Sequence, residues 1–332
     1  MPRPIRSTGL ALALTALVAP ASQGQAPVAG TGGGRAPLYL RGVTGAGPMP
    51  RIDTARVAAC AGDGRADDTG CLQRALDAAA GAKQPLLLPA TPAWYRITAP
   101  LRVATSVIGV GGMPTIRQTS SCGTRQCAGL RLEQGMRGWI HNLHLVGAFQ
   151  GQPGEFAHNI SVGGVDGVTI QGNVLESPVG DNIADNAQEL DRAAARNVLI
   201  FGNTLLTPAR CAISLVNVSS GWAIVNNRLV DPVPWVSPID IEPWRPSSRI
   251  SDVEVAYNEI TAGPPRRGAS PGDYTGVVAA SGWFDPTPGE NIYVHHNYGS
   301  WPFARFVAVV AGKGTFRNVV DEKNVPGEEP VP

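Results

Sequence analysis

Val198-Leu-Ile-Phe-Gly-Asn203 is one of six short apolar segments that end in asparagine and recur along the chain. The six segments are Trp139-Ile-His-Asn142, Val168-Thr-Ile-Gln-Gly-Asn173, Val198-Leu-Ile-Phe-Gly-Asn203, Trp222-Ala-Ile-Val-Asn-Asn227, Val253-Glu-Val-Ala-Tyr-Asn258 and Ile292-Tyr-Val-His-His-Asn297. Their final asparagines follow one another at 31, 30, 24, 31 and 39 residues. A unit of this length that repeats along a chain is typical of a solenoid.

Within each segment the β-branched residues alternate, as in Val253 and Val255, and this is the period of a strand. A single unit of this size cannot close a core, so each coil has to stack on the next. The asparagine falls where the strand must bend, and its side chain tolerates the left-handed conformation. Stacked coils would place the asparagines in a ladder, with each amide bonding the next. Ordinary hairpins with Asn in their turns are the alternative, but the unit is far too long for a hairpin.

The composition is compatible with a long β-rich core. Of 332 residues 43% are hydrophobic and 16% charged, and the 40 glycines and 29 prolines favour turns over long helices. The net charge of +1 gives no electrostatic reason to expect a nucleic-acid partner.

The N-terminus predicts export. Arg3 and Arg6 precede an apolar run from Leu10 to Val18, and small residues at 19–21 suit cleavage, so residues 1–21 read as a signal peptide. A retained membrane anchor is the alternative, although the run is short for a bilayer. We expect a secreted or periplasmic protein without a membrane partner after cleavage. We also expect a flexible leader over residues 22–50 and one domain over residues 51–332, and we make no prediction of oligomeric state.

Export permits disulfides. Cys60 with Cys71, and Cys122 with Cys127, are close enough in sequence to link local loops. Cys211 is left over and is expected to be a buried thiol.

A capping helix is predicted at about residues 68–80. Leu72, Leu76 and Ala79 recur at helical spacing, and Asp67 or Asp68 is available as the N-cap. A helix at this point should cover the open end of the first coil, which would otherwise expose unpaired strand edges.

The same region carries a resemblance to a known superfamily. Gly62-Asp-Gly-Arg-Ala-Asp-Asp-Thr69, the following helix, Leu86-Leu-Leu-Pro89 and Tyr95-Arg-Ile-Thr98 resemble the N-terminal region of the pectate-lyase-like superfamily. That superfamily includes rhamnogalacturonases, phage tailspike depolymerases and alginate or pectin lyases. The resemblance runs from Asp63 to about Gly112, and the Asn-ended coils extend it to about Asn324. It implies an all-β fold, a right-handed parallel β-helix, and action on acidic or complex polysaccharides.

Catalytic signatures of the superfamily are absent, so function has to be argued from the site. The sequence has no Gly-His-Gly and no adjacent Asp-Asp in the central coils, and no pair of arginines flanks a proline as in pectate lyases.

The second strand of the central coils supplies a candidate site. Aligning Ile183, Ile213 and Ile241 as inward residues turns Asp240 and Glu242 outward on one face, with Cα atoms roughly 6.5–7 Å apart. Adjacent coils would bring three further residues into the same patch, namely Asp181, Asp185 and Arg210. Paired carboxylates perturb each other's pKa values, as general acid/base catalysis requires. Calcium binding, a solvated charged face, and an ion pair between Arg210 and Asp240 are the alternatives.

Four tryptophans lie on or beside these coils and could stack on sugar rings: Trp235, Trp244, Trp222 and Trp283. Burial in the core is the commoner fate of any one tryptophan. The histidines beside the Asn turns, His141, His144, His295 and His296, receive no chemical role.

The favoured hypothesis is a secreted enzyme that hydrolyses glycosidic bonds. Asp240 and Glu242 would be its acid/base pair, Asp181 or Asp185 a third carboxylate, and no cofactor would be required. The first alternative is a polysaccharide lyase with Arg210 as base and possibly Ca²⁺ held by the carboxylates. The second is a non-catalytic carbohydrate-binding or surface protein on the same scaffold.

Overall fold

The computed structural model describes the chain from residue 40 to residue 327 with gaps. The described residues are 40, 42–52, 55–120, 129–151, 153–154, 157–185, 194–231, 234, 236–243, 247–264, 276–281, 289–302, 306–310 and 316–327. Their strands form three parallel sheets, here called A, B and C, and their one α-helix, α1, spans Thr69–Gly81. Each coil passes from sheet A to sheet B to sheet C and then returns to sheet A. The expected parallel β-helix with an N-terminal helix is therefore confirmed.

The strands are numbered in chain order. Sheet A contains β1 (Arg56–Val57), β2 (Leu86–Pro89), β5 (Val107–Val110), β8 (Gly138–His141), β11 (Asp166–Gln171), β14 (Ala195–Phe201), β17 (Val218–Val225), β20 (Arg249–Ala256), β23 (Gly289–His295) and β26 (Phe316–Glu322). Sheet B contains β3 (Tyr95–Ile97), β6 (Thr115–Gln118), β9 (His144–Val146), β12 (Val174–Glu176), β15 (Thr204–Leu206), β18 (Arg228–Asp231), β21 (Glu259–Ala262), β24 (Tyr298–Ser300) and β27 (Val325–Pro326). Sheet C contains β4 (Leu101–Val103), β7 (Leu130–Leu132), β10 (Ile160–Val162), β13 (Ile183–Asp185), β16 (Ile213–Leu215), β19 (Ile239–Ile241), β22 (Val278–Ser281) and β25 (Val307–Val310).

The core is a set of columns in which equivalent inward residues of successive coils stack on one another. In sheet A, Val168 pairs with Val198, Val198 with Trp222, and Trp222 with Val253. All four side chains are fully buried. The column two residues later has Ile or Val in the same coils, so the period-two pattern of the sequence becomes a continuous apolar interior.

A ladder of asparagines lines the corner between sheets A and B. Each ladder side chain after the first accepts through Oδ1 from the backbone N–H and the Nδ2 of the preceding Asn, as Asn227 does from Asn203 at 3.0 and 2.9 Å. The Asn203 amide also donates to the Ile170 carbonyl at 2.8 Å. The same bonds link each consecutive pair of ladder residues, which are Asn173, Asn203, Asn227, Asn258, Asn297 and Asn324. The predicted ladder is therefore confirmed.

Asn142 is an exception to the asparagine pattern. Leu143 occupies the ladder position in its coil, and the Leu143 N–H donates to Asn173 Oδ1 at 3.0 Å. Asn142 lies one residue earlier, at a left-handed corner with φ of 56°, and its amide donates to the carbonyls of Gly109 and Gly112. The corner is held by a left-handed residue in each coil, and here that residue happens to be an asparagine.

Helix α1 covers the N-terminal end of the coils, as predicted. Leu72, Leu76 and Ala79 are buried in the same core cluster as the first strands. Asp68 stands at the N-cap, but its carboxylate accepts from the N–H groups of Ala61 and Gly62 rather than capping the helix.

Among the described cysteines, Cys60 and Cys71 form the expected disulfide and Cys211 is a buried free thiol. Cys122 and Cys127 lie outside the described residues. No helix of the described part of the chain has the length and apolarity needed to cross a membrane.

Backbone hydrogen bonds of residues 44–46 join part of the expected leader to sheet A. The Thr44 and Gly45 N–H groups donate to Asn197 Oδ1 at 2.8 and 3.0 Å, and the Ala46 N–H donates to Thr169 Oγ1 at 2.9 Å. These contacts hold the segment against the outer face of sheet A. The earlier part of the expected leader lies outside the described residues.

Asn203→Ala tests the energetic weight of the ladder. Removing the buried amide leaves the Asn173 donors and the Ile170 carbonyl without their partner, so we expect a loss of roughly 1–3 kcal/mol in the free energy of unfolding, measured by urea denaturation. Arg228→Ala is the control, because it removes only an exposed ion pair with Glu259 and should change stability by less than about 0.5 kcal/mol. Equal losses in the two variants would contradict a stabilising role for the ladder.

Candidate functional site

The candidate site lies on the outer face of sheet C, where outward residues of successive coils form one column. Ser161 pairs with Ala184, Ala184 with Ser214, and Ser214 with Asp240. The sequence analysis aligned Ile213 with Ile241, but in the structure strand β16 pairs with β19 so that Ile213 lies opposite Ile239. The error is two residues, which is one full strand period, so it leaves Asp240 on the outward face that the alignment gave it.

Glu242, two residues after Asp240, is close enough for its charge and side chain to raise the pKa of Asp240. Asp240 is only 9% exposed, and Glu242 is half-buried. Burial raises the pKa of Asp240 well above its usual range, and the charges of Glu242 and Asp181 raise it further. Asp240 therefore keeps its proton to a higher pH than an exposed aspartate does.

Asp181 is fixed one coil before Ser214. Its Oδ1 accepts from the Cys211 N–H at 2.9 Å and its Oδ2 accepts from the Ser214 hydroxyl at 2.8 Å. His158 Nδ1 accepts from the Asp181 N–H at 3.2 Å, and burial lowers the pKa of His158. Hydrogen bonds to both oxygens therefore fix the orientation of the Asp181 side chain.

Arg210 completes the group and is half-buried. Its guanidinium charge lowers the pKa of Asp240, opposing burial, and also acts on His158 and Cys211. Sequence reasoning named Arg210, Asp181, Asp240 and Glu242, and the structure places these four together.

Sequence reasoning missed His158 and the hydrogen bond that Ser214 donates to Asp181. Ser214 stands in the same strand position as Asp240 one coil earlier, so a correct register would have shown it as a neighbour of the carboxyl pair. His158 lies before strand β10 and outside any repeated segment, so no periodic signal marked it.

Asp185 does not join this group. It pairs with Val162, on the inward column of sheet C, and it is 1% exposed. Its carboxylate accepts from the Ser219 hydroxyl and from the N–H of Asn217. Burial raises the pKa of Asp185 to about 7 despite these donors. The outward position expected of it is therefore wrong, because Ala184 takes the outward position of that strand.

Trp222 is also misplaced by the sequence hypothesis. It stands in an inward column of sheet A with 0% exposure, and its Nε1 donates to the Ala195 carbonyl at 3.3 Å. A side chain in the apolar interior cannot stack on a sugar. Trp235, Trp244 and Trp283 lie outside the described residues.

The described residues include no group of three or more His, Cys, Asp or Glu side chains placed to hold a metal ion.

Comparison with solved structures supports the fold. The N-terminal fragment of bacteriophage phi29 gene product 12 superposes with a TM-score of 0.54 at 14% identity, over 79% of this chain and 42% of that one. ORF18 of Geobacillus virus E2 superposes with a TM-score of 0.51 at 11% identity, over 83% of this chain and 61% of that one. The chain thus spans less than two thirds of either structure, and identities this low show the fold alone. The β-helix fold that the resemblance implied is confirmed at that level.

No protein-family profile matches the chain, and no curated protein matches it by sequence.

Asp185 predicts a pH dependence of stability. The pKa of Asp185 is about 7 in the folded protein and about 3.9 in an unfolded chain. Its contribution to the free energy of unfolding is therefore fully present below pH 4 and is lost as pH rises toward 7. Asp185→Asn should reduce the fall in unfolding free energy between pH 4.5 and pH 8 by up to a few kcal/mol. Urea denaturation at both pH values measures this, with Asp166→Asn at an exposed ion pair as control. An unchanged pH dependence in Asp185→Asn would contradict the raised pKa.

Proposed function

We propose that this protein is a secreted enzyme that hydrolyses glycosidic bonds in a polysaccharide, with Asp240 and Glu242 as the acid/base pair. The observation that carries the proposal is the position of Asp240 on the outer face of sheet C, where burial and the charge of Glu242 raise its pKa. A carboxylic acid that keeps its proton near neutral pH, beside a second carboxyl group, is the pairing that glycoside hydrolysis uses.

In this reaction Asp240 donates its proton to the leaving glycosidic oxygen. Glu242, the more accessible of the two, receives a proton from the attacking water or attacks the sugar itself. Catalytic carboxyl groups are about 5–5.5 Å apart in retaining glycosidases and about 6.5–9.5 Å apart in inverting ones. The separation of the Asp240 and Glu242 carboxyl groups in a substrate complex would therefore indicate whether the enzyme retains or inverts.

Asp181 and Arg210 set the charge balance around the acid. Asp181 is bonded through both oxygens and raises the pKa of Asp240, whereas Arg210 opposes this rise. A guanidinium is effectively always charged in proteins and cannot accept a proton. This disfavours the lyase reading, in which Arg210 would have to act as the base.

Polysaccharide is the proposed substrate because of the superfamily resemblance of residues 63–112, and secretion is proposed from the N-terminal pattern of residues 1–21. The long axis of stacked coils offers an extended surface that suits a polymer.

One observation favours a second candidate, a non-catalytic carbohydrate-binding protein. Asp181 and Asp240 are buried at 2% and 9% exposure and bonded to neighbours, which is also how structural carboxyl groups are held.

Cleavage assays on a polysaccharide panel separate the candidates when reducing ends and unsaturated products are read together. Asp240→Asn and Glu242→Gln should each lose about 10²–10⁴-fold in rate, since each removes a positioned acid or base. Glu259→Gln is the matched control, because it neutralises a partly exposed carboxylate on sheet B and should retain full activity.

Full activity in both site variants would eliminate the pair as catalysts. Unsaturated products, with turnover abolished by Arg210→Ala, would establish the lyase. Binding of a polysaccharide without any cleavage would establish the non-catalytic protein.

A further inference from the structure

A second polar group lies on the outer face of sheet C, in the coils before the carboxyl pair. Leu130 and Leu132 of strand β7 face the core at 1% and 0% exposure, so Arg131 and Glu133 share the outward face. In the register of sheet C, Ser161 lies opposite Arg131 on the next coil. Arg131, Glu133 and Ser161 are here called the distal group.

The distal group occupies the same two outward positions as the carboxyl pair. Arg131 and Asp240 belong to one outward column, and the members between them are Ser161, Ala184 and Ser214. Glu133 follows Arg131 by two residues, as Glu242 follows Asp240. Four steps between coils of about 4.8 Å separate Arg131 from Asp240 by roughly 19 Å along the solenoid axis.

Two atoms of the distal group are buried and polar but make no hydrogen bond. Within the part of the chain that the structure describes, Glu133 Oε1 and Ser161 Oγ have no hydrogen-bond partner, and Ser161 is 1% exposed. Buried polar atoms are nearly always hydrogen bonded in folded proteins, so these two atoms indicate a place for a polar ligand. The side chains of Arg131 and Glu133 are each 33% exposed, so the distal group borders solvent.

The spacing of Arg131 and Glu133 indicates the chemistry of that ligand. Arg131 Nε is a donor and lies 4.0 Å from Glu133 Oε1, an acceptor, which is beyond hydrogen-bond distance. Two adjacent hydroxyl groups of a sugar ring can bridge this gap, one accepting from the guanidinium and the other donating to the carboxyl oxygen. The Ser161 hydroxyl can both donate and accept, so it can bind a further hydroxyl. The opposite charges of Arg131 and Glu133 cancel, so together they give little attraction for an anionic sugar.

We propose that the distal group is a binding subsite for an uncharged sugar unit with two adjacent hydroxyl groups, four coils before Asp240 on the same face. The inference rests on the proposed function, because it assigns a second contact to the polysaccharide that the carboxyl pair would cleave. A bound chain has to extend roughly 19 Å to reach both groups. The substrate class is therefore a polysaccharide that carries neutral units at this distance from the cleaved bond.

Binding to an array of immobilised oligosaccharides tests the subsite separately from cleavage. The array holds neutral and uronic-acid oligosaccharides, and every protein applied to it carries Asp240→Asn so that cleavage does not remove the ligand. The Asp240→Asn protein should bind neutral oligosaccharides. Adding Glu133→Ala should weaken this binding at least about 10-fold, and adding Ser161→Ala about 3-fold or more, since each removes a hydrogen-bond partner of the sugar.

Two further variants make the comparison specific. Glu259→Ala is the matched control, because it removes the carboxylate of an exposed Arg–Glu pair on sheet B, and its binding should equal that of the Asp240→Asn protein. Glu133→Gln keeps the size of the side chain and an acceptor oxygen, so it should lose less affinity than Glu133→Ala. Circular dichroism of each variant checks that the coils remain folded.

Unchanged binding in both Glu133→Ala and Ser161→Ala would overturn the proposal, because the buried atoms would then serve only ordered water. Stronger binding of uronic-acid oligosaccharides in Glu133→Gln, with no loss for neutral ones, would overturn it in favour of an anion held by Arg131. Absence of binding to every oligosaccharide would overturn the subsite whatever the cleavage assays show. Cleavage that fails while Glu133-dependent binding holds would instead overturn only the hydrolase.

Discussion

The asparagine ladder fixes the register between coils, and the rest of the structure depends on that register. Each ladder amide bonds both the backbone and the side chain of its neighbour, so a coil that slipped by one residue would break several bonds at once. With the register set, coils lie about 4.8 Å apart and residues some 30 positions apart in sequence become neighbours. Asp181, Ser214 and Asp240 meet in this way, as do Glu254 and His295 on sheet A in the next two coils.

The fold could be predicted from the sequence because its signals repeat. Each coil carries the period-two strand pattern and the corner asparagine, so an error in one coil is corrected by the others. Asn142 shows the limit of a single copy: a left-handed corner accepts asparagine as readily as the ladder does, and only the hydrogen bonds of Leu143 distinguish the two.

The site could be predicted only in part, because its residues do not repeat. A two-residue error in aligning strand β19 preserved the outward face of Asp240 by strand periodicity. Asp185 was misassigned because polarity suggested an outward position, whereas buried donors from Ser219 and Asn217 stabilise it facing inward. Trp222 was misassigned for the converse reason, since an indole in this coil replaces the valine of its neighbours in the core. His158 carried no periodic signal at all.

Burial raises the pKa of Asp240, which suits this side chain to act as an acid, and it also makes ionisation of the side chain costly in free energy. A structural carboxylate held by Arg210 would stabilise the fold when charged, whereas an acid kept protonated for catalysis destabilises the fold once it must ionise. The unfolding free energy of Asp240→Asn relative to the wild type, measured by urea denaturation from pH 4 to pH 8, therefore tests the account most directly. The pKa of Asp240 is higher in the folded protein than in the unfolded chain. We therefore predict that the unfolding free energy of the variant, relative to that of the wild type, rises as pH rises through this range. A variant that is less stable than the wild type at pH 8, and increasingly so as pH rises, would show that Asp240 is a structural ion-pair partner and would contradict the account.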